Sequence, residues 1–125
     1  MNEIGYITVI ARTAGGALPV QNAVITVKDA NGSILYVTFT DKSGKTPPLK
    51  VPAPPRANTA SPGAAEPPFY TYSVDTDAPN FISVRNTGVP VYPGITSIQT
   101  VELLPIPEGQ KSTAVTFNES GAPSL

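Results

Sequence analysis

The 125-residue chain contains no histidine, no cysteine and no tryptophan. Without histidine it lacks the commonest general base, and without cysteine it can form neither a thiolate nucleophile nor a disulfide. The usual zinc and haem ligands are missing with them, and nothing in the sequence asks for a cofactor. Charge is scarce too: Asp, Glu, Lys and Arg make up 14% of the chain and nearly cancel, leaving a formal net charge of -1. A nucleic-acid binder normally carries a basic stripe, so this balance argues against nucleic acid as a partner. No apolar run approaches the roughly 20 residues needed to cross a bilayer, so no membrane span is expected. The opening segment, Met1-Asn2-Glu3-Ile4-Gly5-Tyr6, has neither a basic n-region nor an apolar h-region, so no secretory signal is visible.

What the chain does contain is a series of short segments rich in β-branched and aromatic residues, each closed by Gly, Pro, Asn or Asp. That pattern predicts an all-β, two-sheet antiparallel Greek-key sandwich of about seven strands. The expected strands are Gly5 to Arg12, Ala23 to Asp29, Ser33 to Thr40, Phe69 to Val74, Phe81 to Arg85 and Ile95 to Leu104. Leu49 to Val51 and Val89 to Val91 read as shorter extended pieces, the first an edge because Pro47, Pro48 and Pro52 bound it. Asn31-Gly32 and Asp41-Lys42-Ser43-Gly44 are turn signals. The expected core is Ile7, Val9, Ile25, Val27, Val37, Phe39, Tyr72, Val74, Val84, Val101 and Leu103. No segment shows a 3.6-residue period.

Residues 1–107 are expected to form the sandwich, with one long loop inside it and an extension beyond it. Pro52 to Pro68 is dense in Pro and Ala and predicts an exposed loop of partly polyproline II character. Residues 108–125 form a C-terminal extension whose centre, Thr113 to Phe117, alternates like a strand. Thr113, Val115 and Phe117 share one face of it and are the candidate self-association residues. Such a strand has two placements, back on its own sandwich or onto the edge or groove of another copy, and the second is the favoured expectation because it also covers a neighbour's edge.

The order of the turn motifs carries a family likeness. The chain reads Gly5-Tyr6-x-x-Val9, Pro19-Val20-x-x-Ala23-x-Ile25-x-Val27, Gly32 and Thr40-Asp41-x-x-Gly44, then Tyr72-x-Val74, Pro79-x-Phe81, Val89-x-Val91, Gly94 and Val101-x-Leu103. Over residues 4–106 this resembles the carboxypeptidase regulatory-like, or transthyretin-like (prealbumin-like), domain. It is similar above all to versions in clostridial and related Gram-positive proteins, through Thr40 to Pro47 and Pro93 to Gln99. The resemblance implies a Greek-key sandwich used as a non-catalytic part of spore and cell-wall proteins. Fold likeness alone does not assign a role.

Candidate chemistry is sparse. Asp75 and Asp77, followed by Asn80, have a spacing that suits oxygen ligation of Ca²⁺; the competing reading is a solvated turn in which Asx side chains bond local amides. Asp41 could join such a site, although turn geometry around Gly44 accounts for it. Lys42 and Ser43 are adjacent on a turn and would point apart, so a Ser–Lys nucleophile is not expected. Tyr70, Tyr72 and Tyr92 could form an aromatic platform for sugar, or cover the core.

The reading that follows is a non-enzymatic structural subunit that associates with other copies of itself through sheet edges or the tail, in a fibre, appendage or surface layer. The second reading is a monomeric module that binds cell wall or glycan. The low-charge, Thr- and Pro-rich composition suits an extracellular, spore-surface or cell-surface location.

Overall fold

Among the described residues, segments rich in β-branched and aromatic side chains form nine strands in two facing sheets, and no helix occurs. The structure, a computed structural model, describes residues 3–55, 69–107 and 114–119. The first sheet is centred on β1 (Glu3–Thr13). On one side of it lie β2 (Leu18–Pro19) and β5 (Leu49–Ala53), both antiparallel, and on the other lies β8 (Thr96–Glu102), parallel. The second sheet has the order β4 (Ile34–Phe39), β3 (Val24–Lys28), β6 (Tyr70–Asp77), β7 (Val84–Val91), β9 (Val115–Asn118). Its pairs are antiparallel except β7–β9. The architecture is therefore a two-sheet β-sandwich, as the sequence predicts.

The core lies between the sheets. Ile7, Val9 and Ala11 of β1 face Ile25 and Val27 of β3, with Val74 of β6 and Val101 of β8 in the same buried cluster. Glycine permits the closest approach at Gly5. A side chain there would collide with Val91 and lie 2.7 Å from the Tyr92 carbonyl oxygen.

Four expectations need correction. Val37 and Phe39 are exposed on β4 instead of buried. Thr38 takes the inward register, opposite the fully buried Ile25, and Phe39 pairs with Val24 on the outer face. The inward set is polar because it has cross-sheet work to do. The Tyr36 hydroxyl donates to the Lys50 carbonyl at 2.6 Å, and the buried Thr40 Oγ1 donates to Val20 O at 2.6 Å while accepting from Ala23 N at 2.9 Å.

The Pro-rich stretch, expected to be exposed from Pro52 onward, begins inside the fold. Pro52 and Ala53 belong to β5, opposite Ile4 and Glu3, and Ala53 and Pro54 are buried. Proline is tolerated because, among the described residues, β5 pairs on one side only, as expected of an edge. The remainder, 56–68, lies outside the described residues.

The two pieces expected at 81–85 and 89–91 are one strand, β7. The register with β6 shifts between Tyr72↔Val89 and Val74↔Asn86, leaving one extra residue on β7. Gly88, at φ 66°, supplies the left-handed backbone such a bulge uses.

Finally, the tail strand pairs with its own sandwich. Val115 lies opposite Val84 and Phe117 opposite Asn86, parallel to β7, in contrast to the favoured placement on a neighbour. The free side of β7 provides the edge. The Val115 amide donates to Ser83 O at 3.0 Å and the Glu119 amide to Thr87 O at 2.6 Å. Thr113 lies outside the described residues.

Candidate functional site

The acidic pair is arranged as an ion-pair cluster on the outer face of the second sheet. Alternation puts Asp75 and Asp77 on one face of β6. Asp75 accepts from Arg85 Nε of β7 at 2.9 Å and lies 3.2 Å from Lys28 Nζ of β3. That bond stabilises the Arg85 guanidinium and raises its pKa. Asp77 accepts from the Ser83 hydroxyl. Asn80 sits apart, at φ 69° in the turn before Phe81, where its carbonyl accepts from the Ile106 amide at 2.9 Å. No group of three or more metal-binding side chains that could hold an ion occurs among the described residues.

Asp41 is committed to its turn. Its Oδ1 accepts from the amides of Ser43 at 2.8 Å and Lys45 at 3.1 Å, while Gly44 turns at φ 76°. Asp29 repeats the device at the β3–β4 hairpin, accepting from Asn31 and Ser33. These carboxylates shape loops, as Asx turns do. Lys42 and Ser43 are both exposed on the Asp41 turn.

The tyrosines do not form one platform. Tyr72 is buried and its hydroxyl donates to the Pro52 carbonyl across the sandwich. Burial, with Tyr70 and Asp29 nearby, raises its pKa to about 12. Tyr70 is half-buried against the core, whereas Tyr92 packs on Phe69 with ring centres 5.4 Å apart. A shallow cleft of about 300 Å³ beside Asp29, Asn31, Phe69 and Tyr70 takes in Tyr72 but not Tyr92.

The most distinctive surface is one that sequence reasoning placed in the core. Ile34, Val37 and Phe39 of β4 are 60%, 60% and 59% exposed, with Leu35 half-exposed beside them. β4 is the end strand of its sheet and carries neither a charged residue nor a proline. The other sheet edges among the described residues are blunted in recognised ways. β2 has two residues, β5 contains Pro52, β8 ends in exposed Glu102, and β9 has four residues. The only such feature on β4 is a bulge at its Ile34 end, where the register shifts between Val27 and Lys28. The signal was present in sequence as a charge-free run, Ser33 to Thr40, with apolar residues at both parities.

At the far edge of the same sheet, Val115 and Phe117 line a small apolar cleft with Ile82, Val84, Glu102 and Leu104. No helix among the described residues is long and apolar enough to cross a membrane. In comparisons with known proteins, the chain matches no protein-family model and no curated protein sequence.

Proposed function

We propose that this chain is a non-catalytic structural subunit of a surface, spore or extracellular assembly, and that it self-associates through its free sheet edges. The observation that carries the reading is β4: an end strand of six residues, without charge or proline, whose outer side chains are largely exposed. An edge of that kind is a template for main-chain pairing, which folded proteins otherwise protect. β9 offers the opposite end of the same sheet for a further contact, with Val115 and Phe117 partly exposed. The carboxylates are engaged in turns and ion pairs, which supports a role in holding shape. The resemblance to carboxypeptidase regulatory-like modules supports the same non-catalytic role.

Sedimentation velocity and light scattering of the purified chain over a wide concentration range test the proposal. The expected result is a mass that rises with concentration above that of the 13.0 kDa monomer. A strictly monomeric chain would contradict it, and a monomer that co-sediments with peptidoglycan would replace it with the glycan-binding reading.

A further inference from the structure

We infer that two copies of this chain pair through β4 in antiparallel fashion about a two-fold axis at Thr38, joining their five-stranded sheets edge to edge. The inference rests on the self-association reading and specifies its geometry.

The direction of the main-chain groups comes first. Thr40 donates its amide to Ala23 O at 3.1 Å and accepts from Asn22 N at 3.0 Å, so its hydrogen-bonding groups face the β3 side. These directions alternate along a strand, so Thr38 also faces β3, whereas Val37 and Phe39 direct N–H and C=O to the open side. With the axis at Thr38, Val37 of one copy meets Phe39 of the other, and each outward N–H of this stretch finds an outward C=O. The bulge at the Ile34 end stays outside the paired stretch.

The side chains select the same partner. Val37 and Phe39 lie on the outer face, opposite Thr26 and Val24 of β3. Two-fold pairing sets Val37 beside Phe39 of the second copy, a β-branched and aromatic cross-strand pair of the favourable kind. Pairing β4 with β9 of the next copy matches less well, because Val115 and Phe117 share the register of buried Val84 and Asn86 on the inner face. The outer face of β9 would then offer Thr116 to the apolar side chains of β4. Self-pairing also brings no like charges together, since β4 has none.

Area sets the expected strength. Within the paired stretch Val37 and Phe39, 60% and 59% exposed, supply the large apolar side chains, together roughly 200 Å² of exposed surface, no more than an ordinary monomer shows. Stable complexes bury about 800 Å² on each partner, so this contact alone gives a weak dimer that forms as concentration rises.

Two variants test the geometry. Val37→Lys changes an exposed side chain, removes the Val37–Phe39 pair and sets a lysine from each copy as diagonal neighbours on one face, where like charges repel. The expected result is loss of the dimer step in sedimentation equilibrium, with the far-UV spectrum and melting temperature unchanged. Thr38→Cys introduces the sole thiol of the chain at the axis, where facing Cα atoms of a non-hydrogen-bonded pair lie about 4.5 Å apart, within disulfide reach. Mild oxidation of concentrated protein should convert it to a covalent dimer, whereas Thr116→Cys on β9 should not cross-link. Continued association of a folded Val37→Lys protein, or cross-linking through Thr116→Cys in place of Thr38→Cys, would overturn the two-fold β4 contact while leaving self-association standing. An unmodified chain that stays monomeric at every concentration would overturn both.

Discussion

The Tyr72 hydroxyl donates to the carbonyl of Pro52, tying the centre of one sheet to the edge strand of the other. The bond anchors β5 at the point where the Pro-rich stretch begins, and the buried ring fills the space beneath it. Tyr72→Phe keeps the ring and removes the bond, and should cost about 1 kcal/mol in urea unfolding at neutral pH.

The same residue sets an alkaline limit. Its folded pKa, about 12, lies above the ordinary 10.0, so folding holds the phenol neutral. The associated stability is present in full below pH 10 and is lost as pH rises from about 10 toward 12, where the unfolded chain releases the proton first. Denaturation midpoints measured across that window should fall more steeply for the native chain than for Tyr72→Phe.

Burial separates two residues of similar chemistry. Ile25 is fully buried, and Ile25→Ala should cost about 2–5 kcal/mol. Val37 is largely exposed, and Val37→Ala should shift monomer stability by less than about 0.5 kcal/mol. Chemical denaturation at low protein concentration gives both values.

Much of the fold was legible because β6 alternates Tyr72 and Val74 with Thr71, Ser73 and Asp75, because β1 and β3 are rich in β-branched residues, and because Asn31-Gly32 and Asp41 to Gly44 leave little choice of turn. The outward face of β4 was not legible. Alternation sorts Val37 and Phe39 from Thr38 and Thr40 but does not say which set faces in, and the usual assumption buries the apolar set. The inversion depends on partners distant in sequence: Lys50 O for Tyr36, and Ala23 and Val20 for Thr40. The placement of β9 was hidden for a related reason. A strand of alternating residues does not name its edge, and the free side of β7 emerges only once the sheet order is known. Of the candidate site residues, Asp41 was read correctly as a turn former from its spacing to Gly44.

Thr40 offers a check on the β3–β4 junction. Thr40→Val keeps the shape but leaves the buried Ala23 amide without its hydroxyl partner, and should cost about 1–3 kcal/mol. Faster hydrogen exchange at Ala23 in the variant would locate the loss.

Hydrogen exchange at single β4 amides tests the central claim, association through a free sheet edge, most directly. In dilute solution the Val37 and Phe39 amides face the open side and should exchange quickly, whereas the Thr38 amide, bonded toward β3, should be protected. As concentration rises, protection should appear at Val37 and Phe39 and leave Thr38 unchanged. Equally fast exchange of Val37 and Phe39 at every concentration would contradict the account.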